Sequence, residues 1–248
     1  MDPAVLSHVA DGVATLTLRN PAKRNALTPA MWRALAGLVR ELADDPAVRV
    51  LVLTGHGGTF SAGADIAALR SGTAPRELAS AAEEALAAFP GPTLAVIRGH
   101  CVGGGCQLAV ACDLRFASED ALLGVTPARL GLVYPPGATA RLARLVGPAT
   151  AKYLLFSAEL MGARRALACG LLNEVLAATE LADRVAAFTA TLAARSLLTQ
   201  RAAKEFVDHG PDGAHLERWA RPGNAERELA EGVAAFTERR EPRFTWPG

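Results

Sequence analysis

The chain has 248 residues and a mass of 25.8 kDa, room for one large domain or two unequal ones with a substantial core. Half of it is apolar and 21% is charged, which excludes intrinsic disorder. The 26 Lys and Arg almost cancel the 25 Asp and Glu, leaving a formal charge of +1, so neither a nucleic-acid wrapper nor a binder of anionic membranes is expected. No apolar run reaches the ~18–20 residues of a membrane span. The opening MDPAVLSHVADG carries no basic, then hydrophobic, secretory pattern. Cys101, Cys106, Cys112 and Cys169 show no CxxC spacing, and His100 has no second ligand pair at finger spacing. Buried reduced thiols are therefore expected, with no metal and a cytoplasmic location.

Val13–Leu18 alternates as a half-buried strand does. After the polar turn at Asn20 to Asn25, Thr28 followed by Pro29 predicts a capped helix through Met31, Leu35, Leu38, Val39 and Leu42, ending near Asp45-Pro46. Val48–Thr54 is nearly continuous apolar sequence, as in a strand buried on both faces. A glycine-rich loop, Gly55 to Gly58, then leads through Phe60–Ile66 into another helix. The unit repeats: a helix through Leu78, Ala82, Leu86 and Phe89, a strand at Thr93–Ile97, a second glycine loop from Gly99 to Gly105, a buried helix from Cys106 to Cys112, and a strand at Asp113–Ala117. Strand–loop–helix repetition predicts parallel strands with right-handed crossovers. From about Gly147 onward the pattern is helical, with Gly170 as a helix-ending residue and a short strand near Asn173–Leu176. A boundary near residue 195 divides a core, 1–195, from a helical region, 196–248.

Two glycine-rich loops that each join a strand to a helix aim backbone N–H groups at one place. Phosphate binding fails on residues. Gly105 and Cys106 stand where a phosphate loop needs Lys and Ser or Thr, and Leu108 occupies the third glycine position of a dinucleotide fingerprint. What remains is either an oxyanion site, with N–H groups near Ala64 and Gly104 converging on a carbonyl oxygen, or glycines that serve close packing alone.

Phe60-Ser-Ala-Gly-Ala-Asp-Ile66, the stretch from Gly99 to Ala109 and Cys112-Asp-Leu-Arg-Phe-Ala117 closely resemble the crotonase (enoyl-CoA hydratase/isomerase) superfamily. Asn20–Leu27, Ser157–Asn173 and Glu231–Arg240 are similar to further family segments in the same order. The resemblance implies an α/β spiral of ββα units with a helical trimerisation region, forming a homotrimer or a dimer of trimers. It also implies acyl-CoA thioesters as ligands, with coenzyme A part of the substrate and no separate cofactor. By position, the family's oxyanion donors fall on the N–H groups of Ala64 and Gly104, beside Gly103. Its adenine-contacting loop falls on Ala62 to Ile66, Asp65 included, with Ala26 in the N-terminal signature. Phosphate contacts fall to Lys23 or Arg24, and to Arg239 or Arg240 of a neighbouring subunit; the tail arginines read equally as a solvated helix end, and Asp65 as helix-end electrostatics.

Two departures from the family pattern bear on the reaction. The first catalytic glutamate of the family's hydratases is replaced by Gln107, whose amide holds water but exchanges no proton near neutral pH. The second falls on Pro127, or with a one-residue shift on Ala128, and no Asp or Glu occurs between Asp120 and Glu159. A general acid or base is worth about 10²–10⁴-fold in rate, so ordinary hydration is expected to be crippled. Decarboxylation of a malonyl-type thioester needs the oxyanion site and no base. The segment Thr126-Pro127, Leu130-Gly131, Tyr134 is similar to that of methylmalonyl-CoA decarboxylases, in which case Tyr134 orients the departing carboxylate or protonates the enolate through a water. Those enzymes keep a glutamate where this chain has Gln107. Three readings stay open: a lyase working through an enolate, a hydratase or isomerase with other acid/base residues, and an acyl-CoA binder without turnover.

Overall fold

The computed structural model describes residues 2–70, 76–210, 218–219 and 223–246. The chain opens on a hairpin absent from the expected elements: β1 (Ala4–Ala10) runs antiparallel to β2 (Val13–Arg19). Asp11 and Gly12 form the two-residue turn, both with positive φ, which is the backbone an Asp-Gly hairpin favours. Thr28 then caps α1 (Pro29–Asp44), its Oγ1 accepting from Met31 N at 3.2 Å, and the helix buries Met31, Trp32, Leu35, Val39 and Leu42.

From β3 (Val50–Gly55) onward the repeating unit is visible. β3 leads through the first glycine loop to α2 (Ile66–Arg70) and α3 (Arg76–Ala87). β4 (Thr93–Ile97) leads to β5 (His100–Val102) and α4 (Gly104–Ala111). β6 (Leu114–Ser118) leads to β7 (Leu122–Gly124) and α5 (Pro136–Ser157). β8 (Met161–Gly162), α6 (Ala163–Ala168), β9 (Glu174–Leu176), α7 (Leu181–Ala194), α8 (Leu197–His209) and α9 (Asn224–Glu238) follow.

The strands form two sheets, one of six in the order β1-β2-β3-β4-β6-β9 and one of three in the order β5-β7-β8. Successive units give one strand to each sheet. The β3 unit does so through a single parallel bridge between Ser61 and Cys101. The chain therefore winds as a spiral of ββα turns. Pairings from β2 to β9 in the larger sheet are parallel, as expected; β1–β2 and β7–β8 are antiparallel. The second glycine stretch is correspondingly not all loop, since it contains β5, whose three residues are too few to show a period. Helix likewise begins at Pro136 rather than near Gly147, where φ of 76° followed by Pro148 breaks α5 into two segments. Gly170 follows the end of α6 with φ of 80°.

The main core lies between the larger sheet and helices α1, α3 and α4, and α4 has every residue from Gly105 to Ala111 buried. On the sheet's other face α7 covers Val52, Leu94, Val96 and Phe116, with Phe188 packed against Phe116 at 4.9 Å between ring centroids. Among the described residues no helix is long and apolar enough to cross a membrane.

Candidate active site

The spiral brings the two glycine loops into contact. Leu27 N donates to Gly63 O at 2.7 Å and Asp65 N to Leu27 O at 2.9 Å, a bridge that leaves the intervening Ala64 N–H facing away. Gly103 precedes α4 with φ of 55°, so the Gly104 N–H lies at the helix start, where no turn of helix precedes it to accept. Among the described residues neither amide is taken up by another group. Their proximity depends on missing side chains. A Cβ on Gly63 would lie 2.7 Å from Val102 O, and one on Gly104 would lie 3.0 Å from the Trp32 ring and 3.5 Å from Ala64 N. Two unengaged N–H donors side by side suit an oxygen that gains negative charge during reaction.

These donors open into a cleft of about 150 Å³ walled by Trp32, Ala62, Ala64, Ile66, Ala79, Gly103, Gly104, Gln107, Thr126, Pro127, Leu130 and Leu132 to Pro135. Of the residues singled out from sequence, Ala62, Ala64, Ile66, Gly103, Gly104, Gln107, Pro127 and Tyr134 meet here. Among the described residues no Asp or Glu lines this cleft, although Glu77 and Glu84 line the adjoining hollow that shares Val133, Tyr134 and Pro135 with it. Thr126 and Leu130 of the decarboxylase-like segment join it too, and Trp32 and Ala79 do so without having been expected. Trp32 is at the same time a core residue of α1, at 2% exposure.

Immediately behind the wall stands a carboxylate that the sequence reading missed. Glu83 of α3 is 1% exposed, and its Oε2 accepts from Gln107 Nε2 at 2.5 Å. Its Oε1 accepts from Arg141 of α5, which also approaches Glu84. Burial pushes the Glu83 carboxyl above the usual glutamate range, while the Gln107 and Arg141 bonds pull it back. Tyr134 packs against the core with part of its ring open to the cleft. Burial, reinforced by the neighbouring Cys106 and Glu83, drives its phenol well above the ordinary tyrosine range. It is thus an O–H donor across the physiological pH range.

The residues expected at the coenzyme A end divide differently. Lys23 Nζ is bonded to Asp65 Oδ2 at 2.7 Å, and Asp65 Oδ1 accepts from Ala67 N at the start of α2, so Asp65 does serve the helix end. Neither of this pair lines the cleft, and Lys23 is a less open phosphate ligand than expected because Asp65 holds it. Arg24 is exposed, and its carbonyl accepts from Ala62 N at 2.9 Å; Ala26 is buried beneath it. Arg240 is bound to Glu231 and Glu238 on its own helix, and Arg239 ends α9 with φ of 56°, so within the chain both belong to a helix end rather than to the cleft.

The hydrogen bond from Lys23 holds the Asp65 carboxyl below its usual value, so the pair's contribution to stability is present at neutral pH and fades as acid protonates Asp65. Half the Lys23 side chain is in water, which keeps the effect below about 1 kcal/mol. Asp65→Asn is expected to lower the urea midpoint slightly at pH 7, with the difference shrinking below about pH 4. A difference that persisted unchanged through that range would contradict the assignment.

The spiral and its paired glycine loops define a class, an α/β fold with two backbone donors side by side at one cleft. The enoyl-CoA hydratase/isomerase family model matches residues 8–247, and the chain belongs to that family, within the crotonase superfamily. The chain is 33% identical over 256 residues to the mitochondrial enoyl-CoA hydratase domain-containing protein 2 of Homo sapiens, covering 94% of this chain and 85% of that one. It is 32% identical over 244 residues to the crotonyl-CoA hydratase of Syntrophomonas wolfei, covering 94% of each. The crystal structure of an enoyl-CoA hydratase/isomerase family member superposes with a TM-score of 0.91 at 37% identity, covering 99% of this chain and 98% of that one. An enoyl-CoA hydratase from Bacillus anthracis superposes with a TM-score of 0.89 at 29% identity, covering 97% and 98%. The chain is accordingly an acyl-CoA-processing enzyme of the crotonase superfamily, with acyl-CoA thioesters as its substrate class.

Proposed function

We propose that the enzyme generates a thioester enolate without an enzyme carboxylate at the reacting carbon, and that its reaction is the decarboxylation of a malonyl-type acyl-CoA. The observation that carries this is a cleft with two unengaged N–H donors and, among the described residues, no Asp or Glu in its wall. The bond between the α-carbon and the substrate carboxylate breaks, carbon dioxide leaves, and the electron pair moves into the thioester carbonyl. Its oxygen becomes an oxyanion held by the Ala64 and Gly104 N–H groups. The α-carbon then takes a proton from a water hydrogen-bonded by Tyr134, and the resulting hydroxide is neutralised by solvent.

Given methylmalonyl-CoA, the protein is expected to form propionyl-CoA and carbon dioxide. Tyr134→Phe, which removes one hydrogen bond and leaves the ring, is expected to slow this about tenfold. Unchanged turnover in that variant would remove the role given to Tyr134.

A second reading, hydration or isomerisation of an enoyl-CoA, is supported by relatives named as hydratases, Crotonyl-CoA hydratase among them. It requires Glu83 to exchange protons from behind Gln107. Assembly into trimers is supported by Leu229, Val233 and Phe236, an exposed apolar stripe along α9 at helical spacing.

A further inference from the structure

Gln107 faces the cleft, yet its orientation is set by a group outside it. Glu83 sits on the buried face of α3, one turn from Ala79 of the cleft wall and three residues from the core residue Leu86. Its two oxygens have separate partners: Arg141 takes Oε1 and Gln107 takes Oε2 at 2.5 Å. The Arg141 guanidinium against Oε1 and the Gln107 amide against Oε2 both favour the charged carboxylate, in opposition to burial, and a charged carboxylate only accepts hydrogen bonds. The Gln107 amide must therefore meet it through Nε2, which leaves the carbonyl Oε1 as the acceptor available to the cleft. A glutamine without that neighbour can turn its amide over and offer a donor instead.

We infer that Glu83 is a positioning residue that acts through Gln107: it fixes the sense of the amide, so that a hydrogen-bond acceptor is presented in the cleft that also holds the Ala64 and Gly104 donors. The inference deepens the proposed function, and rests on it for the kind of substrate. An acceptor at this point holds a water by its O–H and disfavours a substrate carboxylate beside it. It thereby separates the place where carbon dioxide leaves from the place where the proton arrives. Arg141 is the anchor that keeps Glu83 charged; it does not line the cleft.

Gln107 and Gln200 are the chain's only glutamines, so side-chain ¹⁵N labelling of glutamine yields two amide groups, and Gln107→Met assigns them. The Gln107 amide is expected to show one proton far downfield of the other, the mark of a bond to a carboxylate, in the free protein and without turnover. Two ordinary amide protons would overturn the placement. For the functional half, Glu83→Gln and Gln107→Met are each expected to lower kcat about tenfold with little change in KM, and the double variant to be no slower than the slower single one. Effects that multiply would overturn action through Gln107. If the downfield proton is present but no malonyl-type thioester is turned over, the decarboxylase reading fails while the placement of Gln107 stands. If decarboxylation proceeds and Glu83→Gln does not slow it, the inference fails alone.

Discussion

Replacing Gly104 with proline is expected to lower thioester turnover about 10²–10³-fold while leaving the protein folded, because it deletes one of the two N–H donors. Gly104 is the first residue of α4, a position where proline is accepted and the missing N–H costs the helix no bond. The substitution also adds a Cβ, which would sit 3.0 Å from the Trp32 ring, so steric cost must be separated from donor loss. Gly104→Ala supplies the control, since it adds the same atom and keeps the N–H. The alanine variant is expected to lose much less activity than the proline variant. Equal losses in the two would assign the effect to crowding of Trp32 and remove the amide from the chemistry. Ala64 has no comparable control, because its N–H lies within a bridge whose neighbours are bonded on both sides to Leu27.

Arg115→Met is expected to destabilise the fold by about 3 kcal/mol or more, read as a lower midpoint in urea. Arg115 is 2% exposed, and its guanidinium donates to Leu171 O at 2.9 Å, Cys112 O at 2.6 Å and Ala109 O at 3.4 Å, with Asn173 Oδ1 at 3.3 Å. One side chain thus ties the last turn of α4 to the segment entering β9. Methionine fills similar space but takes the guanidinium donor from the Leu171 and Cys112 carbonyls, each worth about 1–3 kcal/mol, while Ala109 O keeps the Cys112 N–H. Arg115→Lys is expected to recover only part of the loss, since a compact ammonium cannot span acceptors that a planar fork reaches together. A methionine variant within about 0.5 kcal/mol of the parent would show that water or relaxation satisfies the carbonyls. Because α4 carries both Gly104 and Gln107, loss of this tie is also expected to lower kcat in whatever fraction stays folded.

Much of this architecture was legible in the residues, and for identifiable reasons. Thr28-Pro29, the apolar runs at Val50–Leu53 and Thr93–Ile97, and the all-apolar α4 are each long or specific enough to fix their element locally. The smaller sheet was not legible, because β5, β7 and β8 have two or three residues and exist only through one another. The first hairpin was readable in principle: Asp11-Gly12 between two runs of strand-forming residues is its local signature.

At the site, the glycine loops and Gln107 stand out in sequence because backbone donors and a cleft amide lie within short motifs. Glu83 does not. It is 24 positions from Gln107 and comes from a different turn of the spiral. Its one local signal is a charged residue among Ala79, Ala82 and Leu86 on a helix face that should be apolar. The absence of carboxylates between Asp120 and Glu159 says nothing of the layer behind the cleft wall, which only tertiary packing assembles.

The most direct test of enolate formation without a carboxylate in the cleft wall is one mass-spectrometric product analysis. The purified protein is incubated with equal amounts of methylmalonyl-CoA and crotonyl-CoA. Propionyl-CoA accumulating while crotonyl-CoA stays intact is the predicted result. Conversion of crotonyl-CoA to its 3-hydroxy product, with methylmalonyl-CoA untouched, would contradict it and make Glu83 the acid to examine.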